Sequence, residues 1–191
     1  MTRRAFFVAC LALLAFGSGR LEGQALPVDQ PVILAVPPAN PVDVASIDAI
    51  IGALYDVISG PAGQARDWNR FRSLFVPGGL LMPTGGRPNG GRGLRLMSVN
   101  DFVATSGSGM TEIGFREREI ARREEQYGSI AHVFSTYESY RGAETSPYAR
   151  GINSIQLLND GSRWWILTVY WQGESQAVPL PAKYLPGGGA H

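Results

Sequence analysis

Cysteine is almost absent from this chain of 191 residues, which contains only Cys10. Cys10 lies inside an apolar run, residues 5–16, and not at its end, where a lipidated cysteine would stand. Lipid anchoring is therefore not expected. If the run is removed from the mature chain, no thiol remains. Disulfide bonds, a thiol nucleophile and a cysteine metal site are then all excluded.

Apolar runs long enough to cross a bilayer are also missing, since a spanning helix needs about 20 residues. The run 5–16 follows Arg3 and Arg4 and precedes the small-x-small triplet Gly-Gln-Ala at 23–25. This pattern is typical of a secretory signal peptide. We expect residues 1–25 to be that signal, with cleavage after Ala25. The mature protein should be secreted or periplasmic, without a membrane segment.

No excess of one charge is present. The predicted signal holds Arg3, Arg4, Arg20 and Glu22, which leaves 14 basic and 15 acidic residues in the mature chain. An Arg-rich stretch, residues 115–125, is balanced by its own glutamates. Neither nucleic-acid binding nor electrostatic docking on a membrane is expected from this composition.

Metal ligands are equally scarce, because the only histidines are His132 and His191 and the acidic residues do not cluster at ligand spacing. No metal and no cofactor are predicted. The glycine-rich stretch 84–93 lacks the Gly-Lys-Ser/Thr ending of a phosphate loop and is expected to be a mobile hairpin loop. The run Ser-Gly-Ser-Gly at 106–109 is expected in a loop, which argues against a serine hydrolase.

The N-terminal half predicts helices. Residues 26–42 are rich in proline and should form an extended linker. The apolar spacing predicts a helix over 43–59, capped by Asp43 or Ser46, and a shorter one from 66 or 67 to 74 or 75, capped by Asp67. A third helix should start at Ser98 and break at 106–109. Short strands are expected at 80–83 and 94–97, with Pro-Gly-Gly at 77–79 ending the second helix.

The C-terminal half predicts strands. Residues 115–174 read as four consecutive strands, with a hairpin signal in Asn-Asp-Gly-Ser at 159–162. The last segment, 175–191, is rich in proline and glycine and should be a flexible tail.

Four runs resemble the nuclear transport factor 2-like superfamily: residues 67–75, 131–138, 150–157 and 165–171. Among its members, the chain is most similar to secreted bacterial proteins of the SnoaL-like type. The resemblance covers a domain at residues 43–174. It implies an α+β, cystatin-like cone, in which N-terminal helices pack in a curved, mainly antiparallel sheet. It also implies a pocket between the concave face and the helices, and a homodimer formed through the sheet. Because this fold serves both enzymes and binding proteins, the resemblance does not define the function.

His132 is the main candidate for catalysis, because histidine exchanges protons near neutral pH. Strand alternation places His132 and Glu138 on one face of their strand and Tyr137 on the other. Which face lines the pocket is left open. A catalytic hypothesis makes His132 the general base, with Tyr137 and Asn153 or a carboxylate orienting the substrate. Glu117, Glu119 or Asp67 would supply that carboxylate.

Aromatic residues give the ligand-binding prediction, with Tyr55, Trp68, Phe102 and Trp171 lining an apolar pocket and Asn153 as a polar group inside it. The first hypothesis is a small-molecule-binding domain for an apolar or aromatic ligand, without catalysis. The alternatives are a cofactor-independent lyase or isomerase that uses His132, and a non-catalytic dimeric interaction module. The interaction module predicts a pocket filled by side chains.

Overall fold

A computed structural model describes residues 36–86 and 90–188. The predicted signal peptide, its cleavage point, Cys10 and His191 lie outside these residues. The described part contains three α-helices and seven strands: α1 (Ile47–Ile58), α2 (Trp68–Ser73), α3 (Val99–Ile113), β1 (Phe75–Gly86), β2 (Arg92–Leu94), β3 (Met97–Ser98), β4 (Phe115–Tyr127), β5 (Ile130–Arg141), β6 (Ala149–Asn159) and β7 (Trp164–Gly173).

The first helix starts later than the sequence predicted. Ser46 is its cap, accepting a hydrogen bond from the Ala49 amide at 3.1 Å. Asp43 instead lies in a short 3₁₀ turn, and its carboxylate pairs with Arg70 at 2.7 Å. Asp67 caps α2 as predicted, accepting a hydrogen bond from the Arg70 amide. The apolar side of α1 is buried in the core, so helical periodicity predicted its packing face correctly.

The third helix is longer than predicted. Ser98 and Asp101 form a reciprocal capping box at its start. The helix then continues through 106–109 to Ile113, so the predicted break is wrong. Gly107 is buried against Trp68, and a Cβ at this position would lie 3.0 Å from the Trp68 ring. The glycine therefore permits close packing at this point, which outweighs its low helix propensity.

One mixed sheet contains all seven strands. Its order is β2-β1-β7-β6-β5-β4, with β3 paired to β1. Only β1 and β7 run parallel, and the other pairs are antiparallel. The first strand begins at Phe75 and includes Pro77, where the sequence predicted a helix end. A register shift between Phe75 and Leu80 accommodates this proline at an irregular part of the pairing.

The core lies between the inner face of the sheet and the helices. Its fully buried members include Ile50, Phe71, Phe75, Val133 and Ile155. This arrangement is the predicted α+β class, with helices packed in a curved and mainly antiparallel sheet. The fold class is thereby confirmed.

Arg66 lies beside the C-terminal ends of α1 and α3. Its guanidinium is buried and donates hydrogen bonds to backbone carbonyls, including Gly60 at 2.7 Å and Ile58 at 3.1 Å. Burial lowers the pKa of Arg66 from its usual value. The side chain therefore satisfies carbonyl groups that a helix end leaves without partners.

The C-terminal segment, residues 175–188, lies against the outer face of the sheet. Thr136 donates a hydrogen bond to the Tyr184 carbonyl at 2.7 Å, and the Phe134 and Tyr184 rings are 5.0 Å apart. Arg123 donates to the Lys183 carbonyl at 2.8 Å. Composition alone predicted a flexible tail, but these contacts come from strands distant in sequence, which composition does not reveal. Within the described ranges, no helix has the length and hydropathy to cross a membrane.

Candidate functional site

A cavity of about 270 Å³ lies between the inner sheet face and the helices. Its apolar wall is formed mainly by Leu54, Ile58, Phe71, Leu81, Phe102 and Trp171. Polar groups reach it from two helices and three strands and belong to Tyr55, Ser106, Glu117, Tyr137, Ser139 and Asn153. An apolar chamber with a few convergent polar groups is the usual form of a small-molecule site.

Glu117 is the central polar residue of this wall. It lies opposite Ser139 in the pairing of β4 with β5, and the Ser139 hydroxyl donates to its carboxylate at 2.7 Å. The Asn153 amide of β6 approaches the other carboxylate oxygen at 3.5 Å. No salt bridge to Glu117 occurs among residues 36–86 and 90–188.

Burial without a cationic partner changes the acidity of this side chain. It raises the pKa of Glu117 from 4.5 to about 7, although the hydrogen bonds from Ser139 and Asn153 partly oppose that shift. Near neutral pH, Glu117 is thus present in both its protonated and its ionised form. A carboxyl group in this state can donate a hydrogen bond, accept one, or transfer a proton.

A directed chain of hydrogen bonds runs from the cavity to the surface. Arg122 pairs with Glu119 at 2.9 Å, so Glu119 is a carboxylate that only accepts. Ser135 donates to Glu119, and the Tyr55 hydroxyl lies 2.7 Å from the Ser135 oxygen. Because the Ser135 hydrogen is already used, Tyr55 must be the donor in this contact.

The same chain fixes the orientation of Asn153. Since Tyr55 donates to Ser135, its oxygen can only accept from Asn153, and the Asn153 Nδ2 atom lies 3.0 Å away. The second hydrogen on Nδ2 is directed towards Glu117. Both hydrogens of Nδ2 therefore have partners within the protein. The Oδ1 atom of Asn153 is left as the acceptor available to a ligand.

Tyr137 is the complementary donor. Its hydroxyl makes no hydrogen bond to another described residue, and its side chain lines the cavity. Burial, and then the charge of Glu117, raise the pKa of Tyr137 above its usual value, so the hydroxyl keeps its proton. Gly151 makes room for this ring, because a Cβ at Gly151 would lie 2.5 Å from the Tyr137 hydroxyl oxygen. The wall thus offers the Tyr137 donor, the Asn153 acceptor and the titrating Glu117 carboxyl group, beside the Ser106 hydroxyl.

His132 does not face this cavity. Its imidazole Nε2 lies 3.0 Å from the Ser154 hydroxyl, and its ring contacts Phe134 at 5.8 Å. Both neighbours lie on the outer face of the sheet, whereas Val133, Ser135 and Tyr137 alternate with them on the inner face. The catalytic hypothesis required His132 in the cavity beside a second polar group. It is corrected here, because the strand alternation turns the imidazole away from the cavity.

The other predicted site residues are mostly brought together. Tyr55, Phe102, Tyr137, Asn153 and Trp171 all border the cavity. Trp68 does not, because its ring packs edge-on against Phe71 at 5.7 Å and against Gly107. The prediction of Trp68 as a ligand-contacting residue is corrected by this packing.

Glu117 was underestimated by sequence reasoning, which named it only as one possible partner of His132. One signal was present, because Phe115, Glu117 and Glu119 alternate on one face of β4, starting from an apolar residue. An apolar residue on the same strand face as the carboxylates indicates that this face points inwards. The Arg-rich composition of the same stretch concealed that signal.

Candidate metal ligands are not clustered in the described ranges: no group of three or more His, Cys, Asp or Glu side chains is placed to hold an ion.

The chain resembles solved structures in fold. The sequence matches no protein-family model and no curated protein. A protein of unknown function with a cystatin-like fold from Nostoc punctiforme is 8% identical, with a TM-score of 0.53 over 69% of this chain and 91% of that one. A candidate calcium/calmodulin-dependent protein kinase type II association domain from Thiobacillus denitrificans is 14% identical, with a TM-score of 0.51 over 68% and 96%.

These likenesses concern the fold, because identity this low carries no information about ligand or reaction. The chain has a cystatin-like fold, as the resemblance implied. Its membership of the nuclear transport factor 2-like superfamily stays a prediction, as does its assignment to the SnoaL-like type.

Proposed function

We propose that the protein binds one small, largely apolar molecule in the inner cavity. The observation that carries this proposal is the position of Glu117, whose carboxyl group borders an apolar chamber without a cationic partner. A carboxyl group in such a setting is costly to bury unless it serves an interaction. A ligand with one polar group meets this requirement and also covers the apolar wall.

The polar group of the ligand is defined by what the wall offers. Tyr137 provides a hydroxyl donor, and Asn153 provides the Oδ1 acceptor. A carbonyl oxygen next to an N–H, O–H or acidic C–H group would satisfy both, with Glu117 contacting the same end of the molecule. The rest of the ligand is apolar or aromatic, because Phe102 and Trp171 add aromatic surface to the same cavity.

Mass spectrometry of molecules released from the purified protein tests this proposal. Ser106→Phe fills the cavity from α3, and Ser108→Phe makes the same change at an exposed position of that helix. We expect the native protein and Ser108→Phe to release the same compound, and Ser106→Phe to release at least about tenfold less, a difference of ~1.4 kcal/mol in binding. Equal amounts from both variants would refute binding in this cavity.

A second candidate function is proton transfer, favoured by the pKa of Glu117 at about 7. Ionised Glu117 would remove a proton from a carbon next to the ligand carbonyl. The electron pair of the broken C–H bond would move onto the carbonyl oxygen, which Tyr137 would stabilise through its hydroxyl. Return of the proton to another carbon would give an isomerase, and loss of a β substituent would give a lyase.

Hydrogen exchange distinguishes catalysis from binding alone. The released compound is incubated with the protein in D₂O, and its mass is followed. Incorporation of deuterium that is lost in Glu117→Gln supports proton transfer. Retention of the compound without protein-dependent incorporation supports a binding protein.

Secretion and self-association also belong to the proposal. Signal-like residues 1–25 support a location outside the cytoplasm, and the resemblance supports a homodimer formed through the sheet. The C-terminal segment covers part of the outer sheet face, so such a dimer would have to use the part that it leaves open. N-terminal sequencing of the secreted protein and sedimentation of the native chain test these two points.

A further inference from the structure

A second cavity lies on the opposite side of the sheet from the inner one. It measures about 280 Å³ and lies between the outer face of β5–β7 and the C-terminal segment. From the sheet, its floor includes Phe134, Ile152 and Tyr170; from the segment, its cover includes Leu180 and Tyr184. The floor residues alternate with the inner residues of the same strands, so the two cavities lie on opposite faces of the sheet. Trp171 borders both of them.

Contacts at both ends hold the cover in place. At one end, the Glu174 carboxylate accepts a hydrogen bond from the Leu180 amide at 3.0 Å and pairs with Arg150 at 2.9 Å. At the other end, Thr136 donates to the Tyr184 carbonyl, and the Tyr184 ring contacts Phe134. The segment between these anchors arches over the sheet and does not fill the space beneath it.

The arch is stiff because of its sequence. Pro179 and Pro181 fix two backbone φ angles, and a bridge between Ser175 and Val178 closes a tight turn before them. A flexible cover would settle onto the apolar floor and close the gap. This cover is restrained at its ends and in its middle, so the gap is preformed.

The chemistry of the second cavity differs from that of the inner one. Its walls are predominantly apolar, and Glu174, which also borders it, is paired with Arg150 at 2.9 Å, unlike Glu117. The Gln172 amide borders the cavity and has no side-chain hydrogen bond to another described residue. It therefore offers both a donor and an acceptor. The Ser154 hydroxyl is already engaged by His132 at 3.0 Å.

We infer that this second cavity is a separate binding site for a small, planar, apolar molecule with a single hydrogen-bonding group. The aromatic rings of Phe134, Tyr170 and Tyr184 provide the surfaces for a flat body. Gln172 recognises the polar group. The site lies on the other face of the sheet from the inner cavity and shares only Trp171 with its lining.

Indole is a suitable probe, because it is flat and apolar and carries one N–H donor. Indole is titrated into the ¹⁵N-labelled purified protein while the backbone amide signals are followed. We expect saturable shifts at Phe134, Ile152 and Leu180. Indene has the same shape but no N–H, and it should bind at least about threefold more weakly at these residues.

Substitutions then locate the site. Ser154→Leu fills the second cavity, and Gln156→Leu makes a similar change two residues along the same face of β6, at an exposed position outside the cavity. Ser154→Leu should weaken indole binding at least about tenfold, whereas Gln156→Leu should change it less than twofold. Gln172→Leu should abolish the preference for indole over indene.

Clear outcomes overturn the inference. Shifts at these amides that rise linearly without saturation would show that no site exists. Saturable shifts unchanged in Ser154→Leu and in Gln172→Leu would place the bound indole elsewhere. If Ser154→Leu does not fold, the ratio of indole to indene affinity in Gln172→Leu decides the matter alone.

Discussion

Two glutamates on neighbouring strands, one on each face of the sheet, have pKa values shifted in opposite directions. Glu138, on the outer face, accepts a hydrogen bond from Tyr140 at 2.6 Å and pairs with Arg118 at 2.9 Å. These contacts, that of Tyr140 first, lower the pKa of Glu138. Glu117, on the inner face, has only neutral partners, and burial raises its pKa to about 7.

The difference follows from where the arginines lie. Arg116 and Arg118 flank Glu117 in sequence, and strand alternation directs them away from it. Arg116 donates to the Gly142 and Glu144 carbonyls, and Arg118 reaches Glu138. Glu117 therefore forms no salt bridge within the described residues, although an arginine stands on either side of it in the sequence. The contact with Arg118 favours the ionised form of Glu138, whereas burial without a salt bridge favours the neutral form of Glu117.

Replacing Glu117 should produce the largest effect. The folded-state pKa of Glu117 lies above its unfolded value, so the folded state binds more protons between pH 4.5 and 7. Stability should then fall as pH rises through that window, by about 3 kcal/mol for a shift of this size. Glu117→Gln removes this pH-dependent loss of stability, because glutamine does not titrate. We expect it to exceed the native protein in unfolding free energy at pH 8.5 and to match it near pH 4.5, in urea titrations.

Glu138→Gln is the matched control on the outer face. Glu138 has a lowered pKa, so its ionised form is the stabilising one above its unfolded value. The substitution should reduce stability at pH 8.5, which is the opposite sign from Glu117→Gln. The same sign for both variants would abolish the distinction between the two faces.

Removing the Tyr55 hydroxyl should produce the next largest effect. Tyr55→Phe leaves the Ser135 oxygen and one Asn153 hydrogen without their buried partner. Losing a buried hydrogen-bond partner costs about 2 kcal/mol. Thermal or urea unfolding measures this loss. Tyr127→Phe, at a residue that is 85% exposed, should change stability by less than about 0.5 kcal/mol.

Ligand retention gives a second measure of the effect of Tyr55→Phe. Without Tyr55 the Asn153 amide loses the contact that fixes its orientation, and its Oδ1 atom is no longer held ready for a ligand. Tyr55→Phe should therefore release less of the retained compound than the native protein does. Unchanged stability together with unchanged retention would show that the directed chain from Glu119 to Asn153 has no role.

Sequence reasoning predicted the fold better than the site, for physical reasons visible in particular residues. The alternation of Ile130–Ser139 and the helical spacing of Ile47, Ile51 and Leu54 are local patterns. Both predicted the right type of element, although the helix starts four residues later than expected. Position on the correct face of a strand depends on what packs against it. Periodicity sorted His132 and Tyr137 onto opposite faces, but only the helices decide which of those faces is inside.

Local signals also failed where distant residues determine the outcome. Gly107 was expected to break a helix, yet the Trp68 ring packs against it. The proline-rich C-terminal segment was expected to be flexible, yet Thr136 and Phe134 hold Tyr184. In both cases the deciding contact joins residues far apart in the chain, and no local rule contains that information.

Replacing His132 should change stability least. It also tests whether the two faces of the sheet are functionally separate. On the outer face it makes one hydrogen bond, to Ser154, and one ring contact, with Phe134. His132→Gln keeps a polar side chain of similar length there. We expect less than about 1 kcal/mol of lost stability. The amount of compound released from the inner cavity should stay the same, because the sheet separates His132 from that cavity.

The paired inner-face variant is Tyr137→Phe, which removes a hydroxyl that borders the inner cavity and has no partner among the described residues. It should cost little stability, since no internal hydrogen bond is lost, but it should reduce the retained compound. The two variants thus match in stability and differ in binding. If His132→Gln reduces the retained compound as strongly as Tyr137→Phe does, the two faces of the sheet are not functionally separate. The assignment of the ligand to the Glu117 side would then have to be abandoned.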